Sequence, residues 1–234
     1  MFPKGIIIDC CYVLIGTNIG SIIKNYIPSH IKQSMNVIFG IAAIVIGIVS
    51  MIKLNSLPAV ILALILGALI GEIFSLDKKI RSFFQHILDK LNFNIPEDRD
   101  AYMHFYLIVT VTFCASGTNI FGAINEGLTG DFTILLSKAV MDIFASTIFA
   151  ATLGFAMNLI VIPQFIILTG FFYLSQFIMP FITQNMMNDF ISVGGILTFV
   201  LGLSIAQIKH ISAINLLPAL IIIWPCSKFF SIFF

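Results

Sequence analysis

The chain has 234 residues, of which 59% are hydrophobic and only 10% charged, and its mean hydropathy is +1.06. That composition excludes a soluble domain. At roughly 20 apolar residues per bilayer crossing, seven or eight helices use up the length, leaving no room for a soluble catalytic domain. A net charge of +1, with basic residues scattered rather than striped, gives no electrostatic basis for binding nucleic acid.

Taken in order, Lys4 is followed by an apolar run with no small-residue cleavage site before Lys24, which predicts an uncleaved first span at residues 5–23. Further apolar runs fall at 34–52, 56–75, 104–124, 131–156, 163–183, 190–208 and 211–232. They predict eight helices, or seven if 132–183, punctuated only by Asn158 and Pro163, divides differently. The fold class is therefore all-α: one polytopic membrane domain over residues 1–234. The polar segment 76–103 contains KKIRSFFQHILDKL, where Ile80, Phe83, Phe84, Ile87, Leu88 and Leu91 recur at helical spacing. It is expected to lie on the membrane surface as an interfacial segment.

With eight spans, one side receives Lys24, Lys32, Lys78, Lys79, Arg81, Lys90, Arg99 and Lys209, and the other only Lys4, Lys53 and Lys228. The positive-inside rule then makes 76–103 cytoplasmic and both termini external.

Two stretches resemble each other: GIAAIVIGIVSMIKLNSLPAVILAL from Gly40 and GILTFVLGLSIAQIKHISAINLLPALIII from Gly195. Each has a second glycine seven residues on, a basic hinge, and Asn-x-Leu-Pro opening the next helix. As helices 2 and 3 against helices 7 and 8 they form an inverted repeat, the arrangement of many transporters; otherwise they are two hairpins punctuated alike. The tetrapeptide GTNI also occurs twice, at 16–19 and 117–120.

Residues 116–142, SGTNIFGAINEGLTGDFTILLSKAVMD, are the polar exception. On a continuous helix Asp131, Lys138 and Asp142 fall within about 40° of one another, and Asp142 comes close to the bilayer midplane. Ionised groups at that depth face a partner, a bundle interior or water. Lys138 and Asp142, four residues apart, form either a neutral strut or part of a relay. Gly117, Thr118 and Asn119 mark an interrupted helix lining a cavity, or else an ordinary turn with Asp131 as a cap. Glu126 lies beyond a helix C-terminus, where a cation, Lys138 or a permeant ion, would suit it. Glu72 is expected to reach toward Lys78 or Lys79.

Cys10, Cys11, Cys114 and Cys226 lie in apolar runs without metal-ligand spacing, and no HExxH, GxSxG or phosphate-binding loop is present. No enzyme activity, cofactor or catalytic residue is expected.

FCASGTNIFGAINEGLTGD at 113–131 with SKAVMD at 137–142 resembles the signature of the YqgA/YdfK family of bacterial inner-membrane proteins, a domain of unknown function. GALIGE at 67–72, the SVGG from Ser192 and NLLPAL at 215–220 extend the likeness along the chain. The matching polar positions are Gly117, Thr118, Asn119, Glu126, Gly130, Asp131, Lys138 and Asp142. The resemblance implies a multi-pass protein of the bacterial cytoplasmic membrane, with an Asn more usual where this chain has Asp9.

These readings converge on an ion channel or ion-coupled carrier for a small cation or polar solute. Gly117, Thr118, Asn119, Glu126, Asp131, Lys138 and Asp142 would form its ion-binding residues, the lipid bilayer its surroundings, and a homo-oligomer its assembly, since so short a chain has little bulk to enclose a pathway. The rival is a non-transporting scaffold or sensor that engages a cytoplasmic partner through 76–103.

Overall fold

The structure is a computed structural model that describes residues 2–91, 93, 98–178 and 182–233. Among these are ten α-helices and no strand. They are α1 (Lys4–Ile23), α2 (Ser29–Met51), α3 (Leu57–Ile73), α4 (Leu76–Lys90), α5 (Arg99–Cys114), α6 (Gly117–Thr129), α7 (Thr133–Leu153), α8 (Val161–Ile178), α9 (Gln184–Ile205) and α10 (Ala219–Phe233). Part of the expected interfacial segment 76–103, and the end of the span expected at 163–183, lie outside the described residues.

The helix ends follow local chemistry. Asp98 accepts from the Ala101 amide to cap α5, Ser116 from Asn119 to cap α6, and Thr183 from Met186 to cap α9. Pro58 stands in the first turn of α3, where its missing N–H costs nothing.

By length and composition, six helical runs among the described residues can cross a membrane, and a seventh if α3 and α4, bent by 55°, count as one span. One of the six, Thr133–Phe177, joins α7 and α8 through a 3-10 stretch, Gly154–Ile160. Its two halves run in opposite directions. The carbonyl of Leu153, at the end of α7, accepts from Tyr102 Oη in the first turn of α5. From there the chain climbs beside α5 and α6: Cys114 meets the Ile160 carbonyl, and Gln176 donates to the Gly127 carbonyl. The 45-residue run thus crosses twice, and eight passes result. Lys24, Arg81, Arg99 and Lys209 gather at one end, here the basic end, while Gly5, Asn55, Glu126 and Asp131 share the opposite one.

Helix pairs are drawn together by small residues. The α2 and α9 helices run antiparallel, with Gly40 against Gly202 and Gly47 against Gly195. In the sequence repeat Gly40 corresponds to Gly195 and Gly47 to Gly202, so each glycine meets the non-equivalent one, as a two-fold axis lying in the membrane plane requires. The α3 and α10 helices continue this arrangement, with Gly67 on Ala219 and Gly71 on Asn215. The GTNI echo is not part of it: residues 16–19 sit within α1, whereas 117–120 open α6.

Two polar clamps tie the halves. Asp189, fully buried in α9, accepts from the amides of Asn55 and Ser56 at 2.9 and 2.8 Å and from Ser227 Oγ at 2.6 Å. At the basic end Asn215 accepts from the Asp77 amide and donates to Glu72. Glu72 is therefore held by Asn215 rather than reaching for Lys78 or Lys79, because the 3-10 turn before α10 brings a donor to 2.8 Å. Truncating Asp189 to Ala strands three donors at about 1–3 kcal/mol each. The expected result is a drop in detergent melting temperature several times larger than that of Asp189→Asn, which keeps one acceptor.

The amphipathic face of α4 is shared between protein and surroundings. Phe84 and Leu88 are buried, with Phe84 packed on Tyr106 of α5, whereas Phe83 and Leu91 stay exposed.

Candidate functional site

Of the two alternatives at residues 117–119, an interrupted helix or an ordinary turn, the structure has a helix interruption just before them. The fourth pass breaks at Ala115 and Ser116, between α5 and α6. Asn119, fully buried, donates through Nδ2 to the Phe113 carbonyl at 2.6 Å, closing one of the acceptors freed by the break. Gly117 lies against Gly194 of α9, where an added Cβ would come within 2.9 Å of its Cα. Its lack of a side chain permits this close crossing.

Beside the break lies a cavity of about 420 Å³. Its polar lining includes Thr112, Ser116 and Thr118 at the break, Ser137, Lys138 and Asp142 on α7, and Thr198 on α9; α2 closes it with Phe39, Ala42, Ala43 and Ile46. It reaches the surface beside the start of α7, where Thr133 and Ser137 are both lining and exposed.

Lys138 Nζ lies 2.5 and 2.6 Å from the two oxygens of Asp142, a bidentate pair whose side chains are 13% and 5% exposed. The ammonium also stands over the Phe113 ring, 5.6 Å from its centroid. Behind this pair is Asp9 of α1, fully buried and in electrostatic contact with both Lys138 and Asp142. Gln164 of α8 donates to Asp9 Oδ2 at 2.8 Å, and Oδ1 finds no donor among the described residues. Two carboxylates face one ammonium, so the cluster carries one formal negative charge that a proton or a cation must balance. The sequence pattern does not reveal Asp9 and Gln164 as members, because they come from helices 155 residues apart. The available signal was the acid itself, inside the apolar run GIIIDCC.

The remaining expected residues are placed elsewhere. Glu126 is buried, and its Oε1 accepts from the Gly5 amide at 2.7 Å. Its electrostatic partner is the N-terminal end of α1, whose dipole favours an anion, and not Lys138. Asp131 is exposed and precedes α7, so it leaves the stripe formed by Lys138 and Asp142. Its Oδ1 accepts from Thr133 Oγ1 at 2.6 Å and from the Thr133 amide at 2.9 Å, and these bonds hold the carboxyl below the usual carboxylate range. With its pKa lowered in the folded chain, the cap contributes stability above the ordinary Asp value and loses it as pH falls through the lowered one. Asp131→Asn is therefore expected to fray the start of α7, read as faster amide exchange there.

No group of three or more His, Cys, Asp and Glu side chains suited to a metal ion occurs among the described residues.

The family described as Protein of unknown function (DUF554) matches residues 4–228. The chain is 40% identical over 237 residues to Uncharacterized protein YqgA of Escherichia coli (strain K12), with 98% of each chain covered. It is 28% identical over 223 residues to Uncharacterized membrane protein YdfK of Bacillus subtilis (strain 168), with 93% of each covered. No solved structure matches it.

Proposed function

The chain belongs to the DUF554 family of proteins of unknown function, and from that premise we propose that it is a transport protein of the bacterial cytoplasmic membrane that moves a small cation. One observation carries the reading: the Asp9, Lys138 and Asp142 cluster, with one formal negative charge to be balanced, meets through Lys138 and Asp142 a mostly apolar cavity that has a few hydroxyls beside a broken helix. A buried ion pair serving only as a strut needs neither an extra carboxylate nor a cavity. Broken helices build the solute sites of many carriers, because their free ends present unpaired dipoles. In this reading Asp142 and Asp9 hold the cation, Lys138 is the charge it displaces, and Ser116 and Thr118 offer hydroxyl ligands. Assembly as a homo-oligomer is part of the proposal, although the cavity is walled by one chain, and the mass of the detergent-solubilised particle reads it.

The test is flux. Purified protein in liposomes, given gradients of H⁺, Na⁺ and K⁺ in turn, should dissipate at least one of them, and Asp142→Asn should lose that activity while remaining folded. A folded wild-type protein that moves none of the three overturns the proposal.

The scaffold reading is favoured by one observation, the exposed Phe83 on α4 and Leu91 just past its end, at the basic end. It predicts no flux, and loss of surface attachment or of a partner when Phe83 is made polar.

A further inference from the structure

A second cavity, of about 750 Å³, opens at the basic end. Asn36 of α2, His104 and Phe105 of α5, Thr152 of α7 and Ser204 of α9 contribute to its wall, so it lies along the same helices as the cavity holding Lys138 and Asp142. Position along α7 sets their order. Lys138, Asp142, Ala145 and Phe149 line the central chamber, and Thr152, less than one turn further, lines the vestibule.

Phe149 stands at the boundary. Its side chain is 2% exposed, and its ring is met edge-on by Phe39 at 5.7 Å, Phe105 at 5.7 Å and Phe113 at 6.3 Å. Phe39 faces the chamber and Phe105 the vestibule, so the partition is one aromatic layer thick. The vestibule has polar character of its own. Asn36 is only 7% exposed, yet its Oδ1 has no partner among the described residues. His104 Nε2 and His210 Nδ1 lie 3.1 Å apart, one donating to the other. An amide oxygen so enclosed in a cavity wall calls for water or a cation as its ligand.

We propose that Phe149, braced by Phe39, Phe105 and Phe113, is the gate between a basic-end vestibule and the central chamber, and that the small cation passing it sheds its water at the rings. The inference rests on the transport reading and adds to it a route and a point of control. An apolar constriction excludes a hydrated ion by dewetting, so the closed ring cluster blocks passage without any charge. The chamber meets the surface near Thr133, which makes the described conformation closed toward the basic end. A hinge lies close by: α7 stops at Gly154, whose φ of +68° ends the helix five residues beyond Phe149. Tilting the last two turns of α7 about that point carries Phe149 out of the seam.

The experiment uses the full chain with Cys10, Cys11, Cys114 and Cys226 changed to Ala, in sealed vesicles, with a membrane-impermeant thiol reagent added at the basic side. Thr152→Cys should label promptly, and Ala145→Cys about tenfold more slowly while the rings are intact. Adding Phe149→Ala should bring Ala145→Cys to nearly the rate of Thr152→Cys. Should that variant not fold, Phe105→Ala removes the vestibule-side brace and should accelerate labelling in the same direction. Equal labelling of Ala145→Cys and Thr152→Cys with the rings present overturns the gate, as does slow labelling that persists in a folded protein after ring removal. Labelling needs no turnover, so failure of the gate and failure of the flux assay are separate results.

Discussion

Lys138→Met is expected to cost about 3–5 kcal/mol of stability, because it leaves Asp142 and Asp9 facing each other in a buried site without their cation. The formal charge of the cluster passes from one negative to two. Asp142→Asn, by contrast, makes the cluster neutral, with Lys138 free to balance Asp9, so that variant should fold. The paired variant Lys138→Met with Asp142→Asn restores one negative charge and should recover most of the loss. Melting temperatures of the four proteins in one detergent form a double-mutant cycle, and a large favourable coupling is the expected outcome. Additive losses would mean that the two side chains do not share a site.

Gly20→Val is expected to be comparably damaging for a steric reason. A Cβ at Gly20 would lie 2.0 Å from the Thr147 carbonyl oxygen and 2.7 Å from its carbon, and backbone of a neighbouring helix cannot yield as a side-chain tip can. Gly16, one turn earlier, meets the Ile143 carbonyl at 2.4 Å in the same way. Together they let α1 run parallel to α7 at close range, the small-xxx-small packing of membrane helices. Forcing the pair apart should cost about 3 kcal/mol or more. It should also withdraw Asp9 from Lys138 and Asp142, three turns along the same helix, so any protein that survives should have lost flux. Gly170→Ala is the control: a Cβ there meets nothing within 4 Å, and gaining helix propensity should raise stability by about 0.5–1 kcal/mol.

Much of this architecture was legible because bilayer crossings impose length and hydropathy on the sequence. The expected spans at 5–23 and 56–75 overlap α1 and α3 almost end to end, whereas the one expected at 190–208 begins six residues inside α9, which starts at Gln184. The boundary at α2 was read late: it starts at Ser29 rather than residue 34, because Pro28 directs the chain into a polar first turn, SHIKQS, that hydropathy cannot mark. The cross-packed glycines follow from the repeat, since an inverted pair must bring Gly40 to Gly202 and Gly47 to Gly195. The glycines of GTNIG and GALIG, four residues apart, make close helix contacts that the structure alone reveals: Gly16 and Gly20 with α7, Gly67 and Gly71 with α10 and the turn before it.

The site was legible only in part. Lys138 and Asp142 pair locally, so their spacing suffices. Glu126 and Asp131 sit in the same polar window but at helix ends, where each accepts from a backbone amide. Asp9 and Gln164 come together through tertiary packing of α1 against α8, which no local pattern encodes. Phe149 carried no signal at all. In a chain with 24 phenylalanines, the one that separates two cavities stands out only when the cavities are seen.

The most direct measurement is an experimental density map of the protein in a lipid nanodisc, at a resolution that shows ordered water. The account predicts water or ion density in the central chamber, within bonding distance of Asp142 and of the hydroxyls of Ser116 or Thr118. A chamber filled by side chains or an acyl tail, with Lys138 saturating both acids and no solvent beside them, would contradict it.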